Sequence, residues 1–281
     1  MSTIGSARMP YPVGENDSQT RRLITQAQLY NPSTRAFLQA AGISKGMKVL
    51  ELGSGVGDVS LLLADLVGPS GRIVGVELKS AAVETARARV ATIGWLNVEY
   101  LAGDIASVQL DQDFDAVVGR FVLMWLPDPL AVLGRVVRHL RPGGVVALQD
   151  NDFTFSVLAS APLPLFDRLS AWLKETQSQG GPDYHMGLKM QRLYQHVGLP
   201  APQLTLDAPL GTGANWTGYQ YLAETVEMLL PPMRQLGIAM PADVDTSDLA
   251  ERLRKEAVEN DAVIVLPAII GAWSRKPSEQ P

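Results

Sequence analysis

Between positions 47 and 150 five short apolar runs alternate with helical segments, joined by links of a few residues. "MKVLEL" (47–52), "RIVGVEL" (72–78), "NVEYLAG" (97–103), "FDAVVGR" (114–120) and "GGVVALQD" (143–150) read as strands. "DVSLLLADLV" (58–67), "SAAVETARARVATIG" (80–94) and "DPLAVLGRVVRHL" (128–140) read as helices, with "GPSG" and Gly94 as stops. Strand–helix alternation with short links gives a parallel sheet covered by helices on both faces. The chain is therefore expected to be an α/β protein.

The flanks are less regular. Residues 1–20 are rich in Pro, Gly and Ser, and regular structure is not expected there. "DSQTRRLITQAQLYN" (17–31) places Leu23, Ile24, Ala27 and Tyr30 on one helical face; Asn31 and Pro32 should end that helix and allow a second over 33–41. Residues 151–198 read as helices joined by loops, with "SQGGPDYHMG" (178–187) as a glycine-rich break. A strand over 202–210, a helix over 215–230 ended by Pro231 and Pro232, a charged helix over 248–260 and a strand over 262–276 complete the chain. The expected division is an N-terminal helical cover (1–41), a core (42–150), a helical cap segment (151–201), and final strands (202–281) enclosing a helical insert (214–260).

Composition removes several function classes. With 46% hydrophobic and 19% charged residues, the 281-residue chain can bury a sizeable core. A net charge of -5 with scattered basic residues argues against a nucleic-acid partner. No cysteine is present, which excludes disulfides, thiolate metal sites and cysteine nucleophiles. The three histidines and the acids show no metal-ligand spacing, so no metal is expected. Polar N-terminal residues broken by Pro10 and Pro12 do not resemble a signal peptide, and the apolar run at 262–273 is interrupted by Pro267. A cytoplasmic location without membrane insertion is the expectation.

In open parallel sheets the ligand lies beyond the carboxyl ends of the strands. Leu52 ends the first strand, and Gly53, Ser54, Gly55, Val56 and Gly57 follow. Such glycines let a ligand approach main-chain N–H groups, although a tight strand-to-helix turn would also explain them. Acids at successive strand tips favour the ligand. Glu77, 24 residues after Gly53, is placed for both ribose hydroxyls, with Leu78 beside it. Asp104 ends the third strand, where it can meet an adenine amino group while Ile105 packs on the ring. Glu51, just before the glycines, repels a diphosphate and attracts an ammonium or sulfonium. The loop spacing also departs from the dinucleotide G-x-G-x-x-G. The chemistry favours S-adenosylmethionine over NAD.

"VLELGSGVGDVSLLLADLVGPSGRIVGVE" resembles motif I and the following strand of class I S-adenosylmethionine-dependent methyltransferases. "AGDI", "FDAVVGRFVLMWLPDP" and "HLRPGGVVALQD" resemble the later motifs in the same order, and the nearest likeness is to the UbiE-like small-molecule group. The resemblance covers about 42–150. It implies a Rossmann-like, seven-stranded, mostly parallel sheet of order 3-2-1-4-5-7-6 with a helical cap, and S-adenosyl-L-homocysteine as product. Strand 7 inserts antiparallel beside strand 5, a place that 262–276 suits. The helical insert in 211–261, and Glu77 where many relatives carry Asp, are departures.

Methyl transfer is an in-line displacement that depends mostly on positioning, so the resemblance guarantees no catalytic side chain. His139 and His196 read as structural, near helix ends. His185, after the glycine-rich break, is the candidate base, with a solvated loop histidine as the alternative. Arg120 follows the fourth strand and can bind the cofactor carboxylate, an anionic substrate or a structural ion-pair partner. Tyr30, with Tyr11 in the same N-terminal cover, is placed to close over the cofactor. Asp150 and Asp152 flank the end of strand five, where they can meet substrate or cap a loop. Trp125, Phe153, Phe155, Trp172, Trp216, Tyr219 and Tyr221 lie in or beside the cap and suggest a small apolar or aromatic acceptor, methylated on O, N or C. The alternatives are an NAD-dependent oxidoreductase and a fold relative that binds the cofactor for ring-forming or binding roles. The partner is a small molecule; exchange of the N-terminal segment between subunits would make a homo-oligomer.

Overall fold

The structure is a computed structural model and describes residues 17–155, 158–179, 181–238 and 246–278. Its strands are β1 (Lys48–Leu52), β2 (Arg72–Glu77), β3 (Val98–Ala102), β4 (Phe114–Arg120), β5 (Leu140–Asp152), β6 (Leu158–Ala159), β7 (Gln203–Asp207), β8 (Leu210–Gly211), β9 (Ile264–Val265) and β10 (Ala268–Arg275). The helices are α1 (Asp17–Ala40), α2 (Asp58–Val67), α3 (Ser80–Ile93), α4 (Pro129–Arg138), α5 (Pro164–Ser178), α6 (Met186–His196), α7 (Gly218–Gln235) and α8 (Leu249–Glu259).

Val49, Leu50 and Leu52 have no exposed surface, as a central strand covered on both faces requires. β1 pairs in parallel with β2 on one side and β4 on the other, Leu50 lying opposite Val74 and Val117. The whole sheet runs β3-β2-β1-β4-β5-β10-β7, with β10 antiparallel to both of its neighbours. This is the expected order, the final long strand inserted beside the fifth. Leu38, Leu63, Val118 and Ala147 fill one face of the sheet, and Leu133, Leu148, Met190 and Tyr194 fill the other. A third cluster joins Tyr30 to α5, α7 and α8 above the carboxyl edge of the sheet.

Four expectations are corrected. α1 does not stop at Asn31 and Pro32; it is one helix with Pro32 inside it. An interior proline costs about 3 kcal/mol, whereas burying Tyr30 before it and Phe37 and Leu38 after it returns about 1.5–3 kcal/mol per side chain. α7 likewise continues through Pro231 and Pro232, because Val226, Leu229 and Met233 keep one buried face across them. The strand expected over 262–276 is split at Pro267: β10 joins the large sheet, while β9 pairs with β6 and β8 in a small antiparallel sheet. Finally, β5 extends beyond Asp150 because Ala268 and Ile269 pair with Asp152 and Asn151. That extension carries Asn151 to the mouth of the sheet.

Candidate active site

The loop after β1 is shaped by its glycines. Gly53, Gly55 and Gly57 have φ of +59°, +54° and +89°, a region that side chains disfavour. The Ser54 N–H donates to the Val76 carbonyl (3.0 Å) and the Gly57 N–H to the Ser54 carbonyl (2.9 Å), which folds the loop back on β2. A Cβ on Gly53 would meet Val122 Cγ2 at 2.6 Å, and one on Gly57 would meet the Tyr100 hydroxyl at 2.7 Å. Gly55 is different: a Cβ there would find only Leu23 Cδ1, 4.0 Å away. The space beside Gly55 is a cavity.

Glu51, Gly53, Ser54, Gly55, Val56, Asp58 and Val59 form its floor. Glu51 is buried and accepts a 2.5 Å hydrogen bond from the Ser60 hydroxyl. Burial raises its pKa from 4.5 to about 8, with the Ser60 bond opposing, so the carboxyl is protonated at neutral pH. Asp58 is engaged by Arg89 at 2.7 Å. Arg22, Leu23 and Gln26 of α1 close the cavity from above, and the Gln26 amide donates to the Tyr221 hydroxyl at 3.2 Å. Beyond β4 and β5 the lining becomes apolar and aromatic: Phe121, Met124, Trp125, Phe153, Leu173, Tyr184, Tyr221, Leu222, Met228 and Leu229, with Asn151, Gln177 and Thr225 between them. Phe121 holds a φ of +58°, a strained backbone for a bulky residue, and its ring meets Tyr30 edge-on at 5.2 Å.

Of the residues singled out in the sequence, Glu51, Gly53, Ser54, Gly55 and Arg120 line this cavity, together with Trp125, Phe153 and Tyr221. Gly57 supports the turn. The remainder lie elsewhere. Glu77 is buried, accepting from the Gly55 N–H at 3.0 Å and the Lys79 N–H at 2.9 Å; burial raises its pKa while the backbone donors oppose it. Leu78 and Asp104 are exposed, Asp104 accepting from the Ala106 N–H at 2.8 Å. Ile105 turns into the core on the α4 side of the sheet.

Tyr30 does not close over the cavity. It is wholly buried and donates to the Pro267 carbonyl at 3.0 Å, a strut between α1 and the start of β10. Arg120 forms no ion pair among the described residues; its guanidinium donates to Asn31 Oδ1 (2.8 Å) and Thr34 Oγ1 (3.0 Å). His185 precedes α6 and lines an outer hollow with Lys174 and Asp183, which shares Phe153, Gln177 and Tyr184 with the cavity. Its side chain is 58% exposed, with Nδ1 3.2 Å from Thr154 Oγ1 and 3.6 Å from Asp152 Oδ1, and Asp152 also accepts from the Thr154 and Leu188 N–H groups. Asp150 is buried and accepts from the Met124 N–H at 3.3 Å; burial raises its pKa to about 7 against these backbone donors. Trp172 and Tyr219 belong to the core of the cap and Trp216 packs against it. Tyr11 and the side chain of Phe155 lie outside the described residues.

Sequence reasoning did not find Arg22, Gln26, Asn151, Gln177, Tyr184 or Met228. The only local signal was for Gln26, spaced with Leu23 and Tyr30 on the face of α1 that turns inward.

The floor suits the cofactor inferred from the strand-tip acids. The Ser54 hydroxyl and Asn151 Oδ1 are buried without a hydrogen-bond partner, and the open space at Gly55 admits a ligand against the backbone. This sheet order, with a glycine loop after its central strand, defines the class I S-adenosylmethionine-dependent methyltransferases. Residues 43–201, more than half of the chain, match the family described as a methyltransferase domain, and the chain belongs to that family. It is 35% identical over 125 residues to the arsenite methyltransferase of Halobacterium salinarum, covering 44% of this chain and 30% of that protein. It is 28% identical over 176 residues to the demethylmenaquinone methyltransferase of Lactococcus lactis, covering 58% and 70%. A crystal structure of a putative methyltransferase from Bacillus halodurans superposes with a TM-score of 0.57 at 22% identity, covering 88% of this chain and 100% of that one. The last comparison shows the shared fold. Among the described residues no helix is long and apolar enough to cross a membrane.

Proposed function

We propose that the protein transfers a methyl group from S-adenosylmethionine to an O, N or C atom of a small acceptor with an apolar or aromatic body. The observation that carries this reading is one continuous cavity, with the glycine loop at one end and Trp125, Phe153, Tyr184 and Tyr221 at the other. S-adenosylmethionine supplies a methyl group already activated on a sulfonium. Glu51 faces its ammonium, Arg120 its carboxylate, and Gly53, Ser54 and Gly55 the chain between them. Gly57 supports the turn of the loop. Their positions at and beside the strand tips assign Glu77 and Leu78 to the ribose end and Asp104 and Ile105 to the adenine end, although the side chains of these four lie outside the cavity described above. The aromatic walls exclude water and fix the acceptor's approach, which is where the rate gain arises. His185 has no part in this reading, because its imidazole is outside the cavity.

The Lactococcus relative is named for a quinone, which agrees with an apolar ring as acceptor. Arsenite, for which the Halobacterium relative is named, suits this chain poorly: it has no cysteine to offer a soft thiolate ligand. Calorimetry with S-adenosylhomocysteine and with NAD tests the cofactor. Mass spectrometry for S-adenosylhomocysteine formed with a panel of phenols, amines and quinols tests the transfer. Binding of NAD in place of S-adenosylhomocysteine would sink the reading.

A further inference from the structure

Four charged side chains line the cavity among the described residues: Arg22, Glu51, Asp58 and Arg120. The two acids are already engaged. Asp58 is paired with Arg89, and Glu51 is held by Ser60 and protonated at neutral pH. Among the described residues neither guanidinium has an ion-pair partner, although Asp58 acts on Arg120 at longer range. Arg120 donates only to the neutral side chains of Asn31 and Thr34. Arg22 is 8% exposed and its Nε is buried without a partner. Among the described residues no carboxylate lies within 4.0 Å of either. A guanidinium cannot shed its proton, so a buried one without an anion is costly until a ligand supplies it.

On the methyl-transfer reading above, the cofactor supplies only part of what is needed. It brings one carboxylate with two cations, an ammonium and a sulfonium. Glu51, ionising beside the ammonium, offsets that charge, and the carboxylate offsets Arg120. The sulfonium and Arg22 remain positive in the same enclosed space. A neutral acceptor would leave both uncompensated. Arg22 also lies one helical turn before Gln26, whose amide is tied to Tyr221 on the acceptor wall. We infer that the methyl acceptor carries a carboxylate and that Arg22 binds it, with the apolar body of the acceptor against Trp125, Phe153 and Tyr184. The planar fork of arginine matches a carboxylate in two hydrogen bonds, which a carboxamide cannot reproduce.

The test uses the full chain saturated with S-adenosylhomocysteine and titrated with benzoate, 4-hydroxybenzoate and 3-phenylpropanoate, each beside its amide. The wild-type protein is expected to bind at least one acid about tenfold more tightly than its amide. Arg22→Gln should remove that preference and leave S-adenosylhomocysteine affinity within about twofold, while Arg22→Lys keeps part of the preference. A second readout needs no ligand. Arg22→Met removes an uncompensated buried cation, so the thermal midpoint of the free protein should rise by about 2–4 °C. Three outcomes overturn the inference: no acid preferred or bound in the wild type; a tenfold loss of S-adenosylhomocysteine affinity in Arg22→Gln with acid preference intact; or a lower midpoint for Arg22→Met. Wild-type protein that fails to bind S-adenosylhomocysteine would remove the methyl-transfer reading instead, a result seen before any acid is added.

Discussion

The floor and the roof of the cavity are built by different means. The floor is mostly backbone: three glycines at positive φ, fixed to β2 through the Ser54 and Gly55 N–H groups. The roof is side chain, contributed by α1, α5 and α7, and one of its hydrogen bonds joins Gln26 to Tyr221, 195 residues away. A backbone-built surface tolerates little change at its glycines and recognises what the fold as a whole binds. A side-chain surface assembled from distant helices can vary without disturbing the sheet. On the proposed reading the floor serves the cofactor and the roof serves the acceptor.

The contrast breaks first at Gly55. Gly55→Val puts a branched side chain at φ +54° into the cavity, so S-adenosylhomocysteine affinity should fall by more than about 100-fold with the circular dichroism spectrum unchanged. Retained affinity would remove the loop from the cofactor site. On the roof the order of effects should reverse. Leu222→Ala, in the packed core of the cap, should lower unfolding free energy by about 2–4 kcal/mol in denaturant melts, with S-adenosylhomocysteine affinity within a few-fold of wild type.

Glu51 gives a pH signature to the floor. Its pKa is about 8 in the folded protein against 4.5 ordinarily, so its contribution to stability is complete below about pH 4.5 and is lost as the pH rises through about 8. Asp150, at about 7 against 3.8, acts in the same direction. The thermal midpoint of the ligand-free protein should fall between pH 5 and 8. Glu51→Gln should flatten that slope by up to about 1.4 kcal/mol per pH unit, and an unchanged slope would mean the carboxyl is ionised throughout.

Two smaller effects sharpen the line between the walls. Tyr30→Phe removes the bond to the Pro267 carbonyl and should cost about 1 kcal/mol in stability, leaving cofactor affinity untouched. A large loss of affinity would return Tyr30 to the cofactor site. His185→Ala, on an exposed imidazole outside the cavity, should change turnover by less than about twofold. A drop of two orders of magnitude would make it the base after all.

Local chemistry explains which parts of the molecule could be read in advance. β1, α2, β2, α3, β3, β4 and α4 each carry their own periodicity and stop signals, and all lie within a few residues of where the sequence places them. Glu51 and the glycines follow from β1 by contiguity, so they too were legible. Pro32, Pro231 and Pro232 misled because a breaker's cost is local, whereas the burial of Phe37, Leu38 and Met233 that outweighs it is tertiary. Tyr30 and His185 were placed at the site by their position in sequence, and hydrogen bonding to Pro267 and Thr154 directs them elsewhere.

The sequence by itself determined the alternation of strand and helix, the glycine turn with its flanking acid, and hence the class of cofactor, because these depend on neighbours in the chain. Only the tertiary structure decided which charges stay unpaired in the cavity. Arg22 reads as one basic residue on a surface helix until α1 folds across the sheet edge and buries it with no ion-pair partner among the described residues. Charge compensation is a property of distance through space, and no spacing along the chain records it.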